Sequence, residues 1–101
     1  MTEYPGVDLQ GRLALSLVIP VYNEVQSIDV FMARIDQVFA HESLLDLELV
    51  FVNDGSVDDT LVLLLERQKT DPRIRIVDLS RNFGKEAALS AGLQAARGQA
   101  V

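Results

Sequence analysis

The feature that most constrains this chain is Leu47–Asp59, LELVFVNDGSVDD, where an apolar run breaks off into small and acidic residues. Leu47, Leu49, Val50, Phe51 and Val52, interrupted only by Glu48, read as a strand buried on both faces of a parallel sheet. Asn53, Asp54, Gly55 and Ser56 then read as a turn. In an open α/β sheet, ligands sit outside the carboxyl ends of the strands, so Asp54 stands where a recognition carboxylate belongs. The same residues also suit plain turn chemistry, because Asp and Gly tolerate left-handed backbone and Ser56 can cap a helix.

The rest of the chain repeats this strand–turn–helix pattern. Leu13 to Pro20 is expected to be the first strand, closed by Pro20 because proline cannot donate to a ladder. Ile28, Phe31, Met32, Ile35, Val38 and Phe39 recur at helical spacing and predict an amphipathic helix with all six in the core. His41, the only histidine, falls at or just past its end as a surface residue. After the second strand, Ser56 and Asp59 fit a capping box, and Leu61, Leu64 and Leu65 should face inward from a second helix. Asp58 and Asp59 are accounted for by duty at that helix start. Ile74 to Leu79 predicts a third strand near a sheet edge. A small-residue helix carrying Ala87, Leu89, Ala91, Leu93, Ala95 and Ala96 follows, with Gly98 as its stop. Gln99, Ala100 and Val101 look like the start of a fourth strand. Three such alternations with short connections predict a Rossmann-like parallel α/β sheet with right-handed crossovers and helices on both faces.

Length and charge narrow the function. A chain of 101 residues holds one domain at most, and 49% hydrophobic with 24% charged residues is globular composition. Residues 1–12, polar with Pro5, Gly6 and Gly11, are expected to form a flexible arm before a single unit over 13–101. With no cysteine there is neither a disulfide framework nor a zinc–thiolate site. No stretch approaches the ~20 apolar residues of a membrane helix, and the start lacks a secretory signal's basic and apolar segments. The chain itself is therefore expected to be soluble and cytoplasmic. A net charge of −6 argues against nucleic acid as a partner. That charge is uneven: residues 1–70 hold 12 acids and 4 bases, whereas 71–101 hold 3 acids and 5 bases. A locally basic segment suits a small anionic ligand.

Three loops should share the sheet's carboxyl rim: Tyr22-Asn23-Glu24, Asn53-Asp54-Gly55-Ser56 and Arg81-Asn82-Phe83-Gly84-Lys85. Together they offer an aromatic face, two carboxylates, amides and two cations, a set suited to a nucleotide diphosphate. Gly84-Lys85 is not a P-loop, because Leu79 and Glu86 stand where that pattern needs Gly and Ser or Thr. No G-x-G-x-x-G follows a strand, and Pro20-Val21-Tyr22 replaces the paired acids of a response-regulator receiver.

Three blocks carry a resemblance: Val18-Ile19-Pro20-Val21-Tyr22-Asn23-Glu24; Phe51-Val52-Asn53-Asp54-Gly55-Ser56 with Asp58; and Leu79-Ser80-Arg81-Asn82-Phe83-Gly84-Lys85-Glu86, continuing to Ala91-Gly92-Leu93. In this order and spacing the chain resembles the inverting A-type-fold glycosyltransferases. The Arg-Asn-Phe-Gly-Lys block points to their polyprenyl-phosphate branch, the dolichol-phosphate mannose synthases and bactoprenol glucosyltransferases. The resemblance implies strand order 3-2-1-4, cut short in strand 4, and a nucleotide pocket. Pro20, Tyr22 and Glu24 would contact base and ribose, Val52 and Asp54 would flank the base, and Lys85 would lie toward the diphosphate. It further implies an Asp-x-Asp for Mg²⁺ or Mn²⁺ beyond Val101, so that no metal ligand is expected within the chain. A polyprenyl phosphate acceptor is implied at the cytoplasmic membrane face.

On this reading the chain is the amino-terminal part of a larger transferase, inactive by itself and prone to self-associate through the flank of its first strand. The alternative is a complete, non-catalytic nucleotide-binding or interaction module.

Overall fold

The computed structural model describes residues 13–41, 45–96 and 99–100. The elements run β1 (Leu13–Val21), α1 (Ile28–Val38), β2 (Leu45–Asp54), α2 (Thr60–Gln68), β3 (Ile74–Leu79), α3 (Lys85–Ala95) and β4 (Gln99–Ala100). All strand pairings are parallel, in the order β3-β2-β1-β4 that the resemblance implied. β1 and β2 pair along their whole length, from Leu13 with Leu45 to Val21 with Asn53. β4 meets only Leu15 and Ser16 of β1. The expected amino-terminal arm and the Gly98 stop lie outside the described residues.

The two-residue period of a strand sorts the core into two layers. Odd positions Leu47, Leu49 and Phe51 of β2, with Leu15, Leu17, Ile19 and Val21 of β1, pack beneath Ile28, Met32 and Ile35 of α1 and Leu64 of α2. Phe51 meets Phe31 edge to face, ring centroids 6.1 Å apart. Even positions Val18, Val50 and Val52 pack beneath α3, which presents Ala88 and Ala91. From Leu49 to Asp54 β2 is buried on both faces, as the composition of its apolar run implied. Glu48, the one charge inside that run, accepts from Ser16 Oγ at 2.9 Å. Arg67 pairs with Asp29, and Arg73 reaches both Asp36 and Asp71, fastening α1 to α2 and to the connection between α2 and β3. The hydrogen bond from Arg73 holds the Asp71 carboxyl below the usual carboxylate range.

Several details depart from the expectations. β1 runs one residue past Pro20, which pairs with Val52; a proline next to a strand end forfeits at most one ladder bond. β2 extends through Asn53 and Asp54, which pair with Asp78 and Leu79, so the turn begins only at Gly55. In α1, Val38 is 59% exposed, being rotated by about 80° from the buried stripe at 3.6 residues per turn. In α2, Leu65 is 45% exposed, and Leu63 packs on the core instead. The run LVLLL offers a leucine to almost any helical phase, and the sheet takes Leu63 and Leu64. On α3 the exposed side carries Leu89 and Leu93, while Ala88 and Gly92 are buried.

Gly92 sets how closely α3 approaches the sheet. A Cβ there would stand 2.2 Å from Val18 Cγ1 and 2.8 Å from Val52 Cγ2. Both valines are stiff at χ1 and fixed in central strands, so they have little room to give.

Candidate functional site

The three rim loops close around a hollow of about 260 Å³ lined by Pro20, Val21, Tyr22, Glu24, Asp54, Asn82, Gly84 and Lys85. Five of the six residues singled out from the sequence therefore line one cavity. Val52, the sixth, is fully buried one residue before Asn53, in the layer under α3. Tyr22 is 44% exposed and stands at the mouth. Arg81 does not line the hollow; its guanidinium lies 4.7 Å from the Phe83 ring centroid, a cation–π contact on the outer rim. A larger hollow of 390 Å³ sits at the opposite edge, among Ser16, Asp46, Glu48, Arg73 and Arg75, away from all three loops. Position favours the smaller one, because the carboxyl edge is where helix starts and loop backbones turn their N–H groups to a ligand.

Asp54 is buried, and its carboxylate is divided between two backbone donors. Oδ1 accepts from the Phe83 N–H at 2.8 Å and Oδ2 from the Gly84 N–H at 3.1 Å. It therefore clamps the β3–α3 loop to the end of β2. A carboxylate offers about four acceptor positions, so each oxygen retains capacity for a ligand donor. Beside it, Gly55 adopts φ +73°, and a Cβ there would lie 2.3 Å from the Arg81 carbonyl carbon and the Asn82 nitrogen. The two loops touch backbone to backbone. Gly84 adopts φ +95° with open space around it, so glycine is needed there for the backbone conformation alone.

A second set of bonds joins the β1–α1 and β2–α2 loops. The Asn23 N–H donates to Ser56 Oγ at 2.9 Å, and Asn23 Oδ1 accepts from the Val57 N–H at 2.8 Å. The Glu24 N–H donates to Thr60 Oγ1 at 2.9 Å. Ser56 is thus engaged by Asn23, and the expected capping box does not form: Asp59 is the N-cap of α2 without a side-chain cap bond. Asp58 takes over part of that duty, accepting from the Thr60 hydroxyl and from its N–H at 2.9 Å. The Thr60 hydrogen bond holds the Asp58 carboxyl below its ordinary value. Asn53 completes the frame, donating from Nδ2 to Asp78 Oδ1 at 2.9 Å and accepting from the Ser56 N–H at 3.3 Å. Sequence reasoning placed Asn23 and Asn53 in the rim loops without giving either amide a partner, and passed over Thr60. Residue type was the available signal for Asn23, since asparagine is among the few residues that tolerate left-handed backbone.

Among the described residues no group of three or more His, Asp or Glu side chains converges to hold a metal ion. At the rim Asp54 is shared between two loop N–H groups and Asp58 is bonded by Thr60, so these acids do not converge on a divalent cation. No described helix is long and apolar enough to cross a membrane.

Comparison with known proteins follows the same lines. A family model described as Glycosyl transferase family 2 matches residues 16–101. An uncharacterized glycosyltransferase of Synechocystis sp. is 46% identical over 89 residues, covering 88% of this chain and 28% of the relative. A bactoprenol glucosyl transferase of Shigella phage SfV is 42% identical, covering 88% of this chain and 29% of its own length. The chain thus spans less than a third of these curated relatives. Among solved structures, a mannosyltransferase from Pyrobaculum calidifontis in complex with GDP-Man and Mn²⁺ superposes with a TM-score of 0.73 at 27% identity, covering 95% of this chain and 28% of that one. TarS from S. aureus, at 23% identity and a TM-score of 0.71 over 85% of this chain and 25% of its own, shares the fold.

Proposed function

Because the chain belongs to glycosyltransferase family 2, we propose that it forms the nucleotide-sugar-binding part of an enzyme that moves a hexose from a nucleotide diphosphate sugar to a polyprenyl phosphate, undecaprenyl or dolichyl. The observation that carries this reading is the rim hollow, where Tyr22, Glu24, Asp54 and Lys85 converge on a chain 42% identical to a bactoprenol glucosyl transferase. Tyr22 supplies an exposed ring for base stacking, with Pro20 beside it. Glu24 accepts from a ribose hydroxyl, and the remaining lone pairs of Asp54 accept from the base, above Val52. Lys85, in the first turn of α3, meets the diphosphate where the helix dipole also favours negative charge.

In such a transfer an oxygen of the acceptor phosphate bonds to the anomeric carbon as the bond to the nucleotide diphosphate breaks. This chain's residues hold the departing nucleotide. A divalent ion, Mg²⁺ or Mn²⁺, would offset charge on that leaving group. Its ligands would be an Asp-x-Asp, a pattern this sequence does not contain. The whole enzyme would work at the cytoplasmic membrane face.

Calorimetric titration of the 101-residue chain with UDP and GDP tests the reading. One of them is expected to bind, and Tyr22→Ala and Lys85→Ala should each weaken it by ~5- to 10-fold. Absence of binding by either at ~1 mM would overturn the assignment, and transfer of sugar by this chain alone would contradict its role as a binding part. The chain is also expected to self-associate along β1, whose described partner on the β4 side reaches only Leu15 and Ser16. Sedimentation at 0.15 M salt checks this, and a monomer at micromolar concentration would refute it.

A further inference from the structure

Asn23 is the one described non-glycine residue with left-handed backbone, φ +52°. A side-chain-bearing residue holds that conformation at a cost, and the surroundings must over-determine it. Here they do so through the β2–α2 loop. Asn23 donates its own N–H to Ser56 Oγ, and its Oδ1 accepts from Val57 at 2.8 Å and, more weakly, from Asp58 at 3.4 Å. The next N–H along the chain, that of Glu24, is taken by Thr60 Oγ1, and the Thr60 hydroxyl is itself oriented by Asp58. Neither Asn23 nor any of these loop partners lines the rim hollow, whereas Tyr22 and Glu24 on either side of Asn23 both do. The left-handed turn at Asn23 lets two consecutive residues grip the neighbouring loop while the flanking side chains reach the cavity.

We propose that Asn23 is a positioning residue: by docking the β1–α1 loop on the backbone N–H groups of Val57 and Asp58, it sets the spacing of Tyr22 and Glu24 from Asp54 across the hollow. Its importance for ligand binding rests on the nucleotide reading; the docking itself does not. A residue that only stabilised the fold would alter the melting temperature without changing the hollow.

Two variants of the 101-residue chain separate these cases. Asn23→Gly keeps the backbone freedom and removes the acceptor; Asn23→Asp keeps both the acceptor and the tolerance of positive φ. In Asn23→Gly, amide exchange at Glu24 and Val57 should rise by ~10-fold, while Phe83 and Gly84, held by Asp54, stay within ~2-fold. Affinity for UDP or GDP should fall by ~10-fold, and Asn23→Asp should restore both readouts to within ~3-fold at 0.15 M salt. Unchanged exchange at Glu24 and Val57 overturns the proposal, as does raised exchange with unchanged affinity. If the unsubstituted chain binds neither nucleotide, the nucleotide reading fails by itself. The proposal is then decided by nuclear Overhauser contacts across the hollow, which must weaken between Tyr22 and Gly84 in Asn23→Gly and return in Asn23→Asp.

Discussion

Replacing Gly55 with alanine is expected to lower the melting temperature by at least ~10 °C. Left-handed backbone at φ +73° costs an L residue about 1–2 kcal/mol. The added Cβ would also sit 2.3 Å from backbone atoms of Arg81 and Asn82, and forcing a methyl into packed surroundings costs about 1–3 kcal/mol more. Backbone cannot swing aside as a side-chain tip can, and this stretch is already held by the Asp54 clamp. For a domain of this size each kcal/mol is about 4–8 °C. Gly84→Ala is the control: φ +95° is strained too, but nothing lies within 4 Å of the new atom, so the smaller loss isolates the conformational part. Equal melting temperatures for the two variants would show that the loops separate freely.

Asp54→Ala should cost about 3–6 kcal/mol in denaturant unfolding, since two backbone N–H groups lose a charged acceptor worth about 1.5–3 kcal/mol each. The N–H groups of Phe83 and Gly84 should lose their exchange protection together. Asp54→Asn keeps one acceptor but turns an NH₂ donor toward the other N–H, so about half of the loss remains. Nucleotide affinity should fall further for Asp54→Ala than for Asp58→Ala, because Asp54 lines the hollow whereas Asp58 is exposed and reaches it only through Thr60 and the Glu24 N–H. A greater loss for Asp58→Ala would reverse the order of importance assigned here.

The buried β2 was legible because double-sided burial is a local property of Leu47 to Val52, whereas the strand order came only with the family resemblance, since no single strand's composition says which strands flank it. Helix phase was legible where apolar residues are sparse, as with Ile28, Met32 and Ile35. It was not legible in LVLLL, where neighbouring leucines suit several phases and only the sheet chooses. The capping box failed for a tertiary reason: Ser56 is bonded by Asn23 from 33 residues away. The candidate site's location followed from which loops end at the carboxyl rim, so Tyr22, Glu24, Asp54 and Lys85 could be gathered from loop placement, while Pro20 came with the resemblance. The clamp could not, because the partners of Asp54 are main-chain N–H groups 29 and 30 residues distant, which no side-chain pattern announces.

Gly92 lies seven residues beyond Lys85 on one continuous helix, about 10 Å along its axis at 1.5 Å per residue. A short helix moves as a rod, and the fulcrum of this rod is the bare Cα resting on Val18 and Val52. Lys85 is therefore carried at the far end of a lever whose pivot is hydrophobic. The size of the side chains at 18, 52 and 92 fixes where a cation stands relative to Asp54, so the hollow can be deepened or made shallower from below. Under the proposed nucleotide reading, tuning which diphosphate the hollow takes would be a matter of carpentry in the core, leaving every residue of the wall as it is.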